Sequence, residues 1–141
     1  MDERFVVSVR VEFSGAHQLH GYDGPCARMH GHNWIVEADV GARALDEIGM
    51  AVDFRRLRGV LSEIAAKFEH RVLNEVEPFV TRNPTAENVA RHFYEALSAW
   101  LARHDEDGRL FLEGVTVWEN GRSRVRYEKK AQSAPDLPGR P

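Results

Sequence analysis

His30 and His32 continue, without a change of phase, the alternation of apolar residues at Trp34, Val36, Ala38 and Val40. Residues two apart on an extended strand point to one face, so both imidazoles share the side that carries the apolar stripe. An earlier run, Phe5, Val7, Val9, Val11 and Phe13, alternates in the same way and delivers the chain to His17. The Gly- and Pro-bearing segment between the runs lets the chain double back. Two long strands in an antiparallel pair are therefore expected, with a metal at one sheet end and the apolar face running away from it.

The stretch from Phe13 to Trp34 holds His17, His20, His30 and His32, four of the seven histidines, together with Cys26, the only cysteine. Three neutral imidazoles around an open fourth position are the pattern of a catalytic zinc; a structural site closes that position with a further protein ligand. A loop of solvated histidines is the plainer alternative. The same-face pair, a third histidine nearby and the intervening cysteine count against it. His17 and His20 are both within reach as third ligand, and His17, which directly follows the strand, is favoured. Cys26 sits among Asp23, Gly24, Pro25 and Arg28, a polar and turn-rich setting unlike a core position. A nearby cation, or His70, would stabilise its thiolate as a base or nucleophile. Ligation of the metal by Cys26 is left open by spacing alone.

The remaining chain bounds these readings. At 141 residues, 43% hydrophobic and 29% charged, the chain fits one ordinary soluble domain with a substantial core. Its net charge of −3 gives no electrostatic reason to expect nucleic acid, whose binders usually carry a basic face. There is no apolar run of membrane-spanning length and no signal-peptide pattern. A lone cysteine makes no internal disulfide, which suits a reducing cytoplasm.

Asp53 is placed to cap a helix from Phe54, with Leu57, Val60, Leu61, Ile64 and Phe68 at helical spacing. That helix is expected to fray near Glu69–His70. A second helix starts after Asn83-Pro84-Thr85, with Thr85 as cap and Val89, Phe93, Leu97, Trp100 and Leu101 as its core stripe. A strand follows through Leu110, Leu112, Val115 and Val117 to Trp118, and Asn120-Gly121 signals a hairpin returning through Val125 and Tyr127. The expected fold is α+β, a four-stranded antiparallel sheet with two helices on one face. It spans residues 1–130 as a single domain, and the polar, proline-bearing segment 131–141 reads as a disordered tail. Four strands leave two edges open, which invites a closed oligomer.

Two further sites carry chemistry. A carboxylate beside an imidazole, as in Glu69-His70, can orient it for acid–base work, although such a step at a helix end is ordinarily solvated. Glu119 precedes the hairpin turn and reads by default as a solvated strand-end charge. Its functional reading is a carboxylate that takes a guanidine-like edge through paired hydrogen bonds.

The motifs F-S-G-A-H at 13–17, C-A-R-M-H-G-H-N-W at 26–34, V-D-F at 52–54, E-H-R-V-L-N at 69–74, N-P-T-A-E-N at 83–88 and Glu119 occur in one order across nearly the whole chain. In that order the sequence resembles the 6-pyruvoyl-tetrahydropterin synthase and 6-carboxytetrahydropterin synthase superfamily, of the T-fold (tunnelling fold) class. The resemblance implies zinc held by His17, His30 and His32, with His20 not a ligand. It implies Cys26 as the proton-abstracting thiolate, His70 with Glu69 as a second acid–base group, and Glu119 as holder of the pterin's amino-pyrimidine edge. It further implies 7,8-dihydroneopterin triphosphate as substrate, and sites between subunits of a homohexamer, a dimer of trimers.

The C-x-x-x-H-G-H spacing from Cys26 to His32 resembles the bacterial 6-carboxytetrahydropterin synthases of 7-deazaguanine (queuosine) biosynthesis. The alternatives are a 6-pyruvoyl-type synthase, a side-chain-cleaving enzyme of folate synthesis, and a zinc-stabilised pterin-binding domain without catalysis. One departure stands out. The family usually places Asp before the acid–base histidine, and here it is Glu69, so Glu69→Asp is expected to maintain or raise turnover.

Overall fold

The computed structural model describes residues 3–130; the tail expected at 131–141 lies outside the described residues. Strand β1 (Phe5–His17) and strand β2 (His30–Ala42) form the antiparallel pair, in register from Phe5 opposite Ala42 to His17 opposite His30. Helix α1 (Phe54–Ala66) is capped by Asp53, whose side chain accepts from the Arg55 amide. Strand β3 (Arg71–Val72) follows, then helix α2 (Ala86–His104), whose cap Thr85 accepts from the Asn88 amide. Strands β4 (Leu110–Asn120) and β5 (Ser123–Tyr127) close the fold as a hairpin. At its turn the Asn120 side chain accepts from the amides of Arg122 and Ser123.

The sheet has five strands in the order β3-β1-β2-β4-β5 and is mixed. This corrects the expected four-stranded antiparallel sheet. The extra strand pairs parallel with β1, Gly15 opposite Arg71 and Ala16 opposite Val72. Two residues are too few to show an alternation, so nothing in the pattern marks them. They pair because the chain leaving α1 reverses at His70, which takes a left-handed backbone (φ 57°), and the His70 amide donates to the Ser14 carbonyl at 2.7 Å. Gly15 permits the close approach: a Cβ there would lie 2.7 Å from Leu73 Cδ1.

The alternation decides the layers. Val9, Phe13, Trp34, Val36, Ala38, Val40, Val115 and Val117 are buried against Leu57, Leu61, Phe68, Val89, Phe93 and Leu97 of the helical layer. Burying these side chains is the main stabilising term of such a layer, about 25 cal/mol per Å2 of apolar surface. The histidine end of β1 and β2 shares the helix-facing side. The metal-ligand candidates therefore stand over the core rather than in a free loop.

Candidate functional site

Trp34 forms the floor of the site. It is fully buried, stacks on Phe13 at 5.9 Å between ring centroids, and donates from Nε1 to the Gly15 carbonyl at 3.1 Å. The rings of His17 and His32 stand edge-on to it at 4.9 and 5.4 Å. His17, the last residue of β1, faces His30, the first of β2, and His32 lies opposite Gly15. The strand pairing thus brings together the three histidines read as ligands.

Two carbonyls set their orientation. His17 Nδ1 donates to the Pro84 carbonyl at 2.7 Å, and His30 Nδ1 to the Arg28 carbonyl at 2.6 Å. A carbonyl only accepts, so in the neutral rings each Nε2 carries a lone pair. Those two Nε2 atoms are 2.9 Å apart, an arrangement that is repulsive unless a cation lies between them. His32 Nε2 is buried with no well-aligned hydrogen-bond partner among the described residues, its nearest acceptor being Glu119 Oε1 at 3.0 Å. Burial, above all, pushes His17 below the usual histidine range; positive charge at His30 and His32 acts the same way, against the Pro84 carbonyl and Glu119. Burial also lowers His32, with Glu119 opposing it. The neutral form that these shifts favour is the one that ligates metal.

Glu119 completes the cluster. It continues the helix-facing phase of Val115 and Val117, and its Oε1 lies 3.1 Å from His17 Nε2 and 3.0 Å from His32 Nε2. One ligand atom from each of His17, His30, His32 and Glu119 falls within 4.8 Å of every other. Convergent imidazole nitrogens and a carboxylate fit a divalent cation of zinc's donor preference.

His20 stands outside this group. Its amide donates to Asn83 Oδ1 and its carbonyl accepts from Asn83 Nδ2, while Asn74 Nδ2 contacts its ring Nε2 at 3.2 Å. Asn74 also exchanges hydrogen bonds with the backbone of Gln18. Asn74 and Asn83 therefore clamp the loop leaving β1, and Pro84 orients His17. Sequence reasoning used Asn83 and Pro84 only as the approach to the second helix and gave none of the three a role in the site. Their only signal was membership of the E-H-R-V-L-N and N-P-T-A-E-N motifs.

Cys26 lies in a single 3-10 turn, Pro25–Ala27, and is half-buried and free. It lines a cleft of about 400 Å3 with Tyr22, Thr85, Glu87, Glu119 and Arg124. Glu69 and His70 are in contact, Oε1 to Nε2 at 2.9 Å, and the Ser14 amide donates to Glu69 Oε2 at 3.3 Å. The longer carboxylate thus reaches the imidazole. His70 lines a different cleft, of about 440 Å3, with Ser14, His32, Asn33 and Arg71. Cys26 and His70 accordingly line different clefts, one beside Glu119 and the other beside His32.

A sheet end that presents three histidines and a carboxylate over a two-helix layer defines an α+β protein with a side-chain group that could hold a metal ion. The family model for 6-pyruvoyl tetrahydropterin synthase matches residues 6–130, and the chain belongs to that family. A Synechocystis protein named 6-carboxy-5,6,7,8-tetrahydropterin synthase is 30% identical over 129 residues, covering 87% of this chain and 92% of that one. An Archaeoglobus fulgidus protein that bears the same name provisionally is 34% identical over 98 residues, 70% of this chain and 80% of its own. Among solved structures, the Caenorhabditis elegans 6-pyruvoyl tetrahydropterin synthase superposes with a TM-score of 0.79 at 26% identity, covering 92% of this chain and 98% of that one.

Proposed function

We propose that this chain is a zinc-dependent 6-carboxytetrahydropterin synthase that converts 7,8-dihydroneopterin triphosphate and one water to 6-carboxy-5,6,7,8-tetrahydropterin, acetaldehyde and triphosphate. The observation that carries it is the convergence of three imidazole Nε2 atoms, two of them oriented by carbonyls, beside a carboxylate. The names of the curated relatives support the carboxy product over the pyruvoyl one. The Caenorhabditis elegans neighbour favours the pyruvoyl alternative, in which all side-chain carbons are kept.

His17, His30 and His32 would hold the zinc, which when bound supplies Lewis-acid polarisation of the substrate's side-chain hydroxyls. Cys26, as thiolate, takes a proton from the substrate side chain. His70 moves a proton on the opposite side of the carbon chain, held in orientation by Glu69. Glu119 takes the pterin's amino-pyrimidine edge through paired hydrogen bonds. The buried Trp34 floor keeps water from below the ligands.

The separation of Cys26 and His70 into two clefts supports sites completed between subunits. So do the sheet edges: β3 covers only Gly15 and Ala16 of β1, leaving its earlier residues, including the exposed Phe5 and Val6, open to pairing. A homohexamer built as a dimer of trimers would close both edges. The lone free thiol fits a cytoplasmic setting, and no described helix is long and apolar enough to cross a membrane.

The test is mass-spectrometric product analysis of zinc-loaded protein with 7,8-dihydroneopterin triphosphate, alongside Cys26→Ala and His30→Ala. Carboxytetrahydropterin and acetaldehyde from the wild type, no turnover from Cys26→Ala, and loss of stoichiometric zinc from His30→Ala are expected. A pyruvoyl product moves the chain to the other branch. Pterin binding without any product overturns the enzymatic reading.

A further inference from the structure

Glu119 faces two incompatible demands. To hold a pterin edge it must offer both carboxylate oxygens to two parallel N–H donors. In the structure, however, Oε1 is committed to the histidine cluster, at 3.1 Å from His17 Nε2 and 3.0 Å from His32 Nε2. A tetrahedral zinc with ligands at about 2.0–2.1 Å has ligand–ligand edges of about 3.3 Å. The two edges from Oε1 to His17 and His32, and the 2.9 Å edge between His17 and His30, are close to that spacing, and all four ligand atoms lie within 4.8 Å of one another. The carboxylate thus stands where a fourth ligand would, beside His17 and His32.

We infer that Glu119 is the fourth metal ligand of the resting protein, and that pterin binding draws it off the metal and so opens the position the substrate's hydroxyls need. The inference rests on the pterin reading above and extends it to the order of events. Glu119 is suited to both states. It also lines the Cys26 cleft and its side chain is 26% exposed, so its carboxylate can turn from cluster to cleft while the β4 backbone stays in place. The metal is thus shielded from water and stray anions until the correct heterocycle arrives. A ligand with hydroxyls but no amino-pyrimidine edge has no means of opening the site.

Cobalt(II) in place of zinc provides the readout, because its visible absorption reports coordination directly. The full chain loaded with cobalt is titrated with unsubstituted pterin, which has the heterocyclic edge but no side chain, and binding is followed separately by pterin fluorescence. The expected result is a shift of the cobalt band on pterin binding, towards the spectrum of cobalt-loaded Glu119→Gln. That variant should itself bind cobalt at least about tenfold more weakly, with a band that pterin does not move. If pterin binds the wild type and the band stays still, the switch is wrong while the pterin reading stands. If Glu119→Gln keeps the wild-type band and cobalt affinity, Glu119 is no ligand. If cobalt binds and pterin does not, the pterin reading fails and the switch with it.

Discussion

Replacing Glu69 by Asp tests how the acid–base pair is held. In the structure one carboxylate does two jobs: Oε1 contacts His70 Nε2 at 2.9 Å, and Oε2 accepts from the Ser14 amide at 3.3 Å. The latter bond stands in for a strand partner, beside the His70 amide that donates to the Ser14 carbonyl. Asp is shorter by one C–C bond, about 1.5 Å, and keeps at most one contact. The sequence comparison alone led to the opposite expectation, that Asp would maintain or raise turnover. A hydrogen bond to a charged group is worth about 1.5–3 kcal/mol when shielded. Here the side chains of His70 and Glu69 are 80% and 40% exposed, which reduces the interaction to about 0.2–1 kcal/mol, or roughly 1.5- to 5-fold in rate. Steady-state kinetics on the assembled, zinc-loaded protein should show that loss in kcat with KM nearly unchanged, since an orienting contact is not a binding contact. Glu69→Gln, which keeps the length, should retain the Ser14 contact and its share of the orientation. Turnover of Glu69→Asp at or above wild type would refute the two-contact account. A loss well beyond tenfold would place the pair in a desolvated subunit boundary.

Trp34→Phe removes the donor to the Gly15 carbonyl and leaves space beneath His17 and His32, at a cost of roughly 2–4 kcal/mol. Denaturant midpoints should show it, and a change below about 0.5 kcal/mol would mean that the floor is not a packing keystone. His92 is ringed by Phe68, Phe79 and Phe93 at 5.5, 5.8 and 6.0 Å. Burial, followed by the Lys67 and Arg82 charges and opposed by Glu95, lowers it from 6.5. The unfolded chain therefore binds this proton at a higher pH than the folded one. Stability from this residue is present above about 6.5 and declines as pH falls towards the lowered value. His92→Leu should flatten part of the fall in melting temperature between pH 7.5 and 5.5, and an unchanged slope would show that His92 is not a contributor.

The parts of the fold that were legible in the sequence are those with a period. β1 and β2 announce themselves by alternation, α1 and α2 by helical spacing and by the caps Asp53 and Thr85, and the last hairpin by Asn120-Gly121. The histidine set was legible for the same reason, since phase alone put His30 and His32 on the apolar face. β3 was not, because a two-residue parallel pairing created by a left-handed turn at His70 has no pattern of its own. The place of Glu119 beside the histidines could have been read from its phase with Val115 and Val117, but the register between β2 and β4 that brings it to His32 is a tertiary fact. The carbonyls of Arg28 and Pro84 are equally silent, as a backbone acceptor has no letter in the sequence.

The stretch from Phe13 to Trp34 looks like a cassette, a compact run that could be lifted out and grafted elsewhere with its metal chemistry intact. The bond from His17 to the Pro84 carbonyl argues otherwise. Sixty-seven positions separate its partners, and the acceptor sits just before the Thr85 cap of α2. Transplanted without α2, His17 would lose the group that selects its tautomer and aims its lone pair. Retaining all the histidines would then preserve the composition of the site and not its geometry. Any minimal version of this centre has to carry the helix entrance as well as the loop.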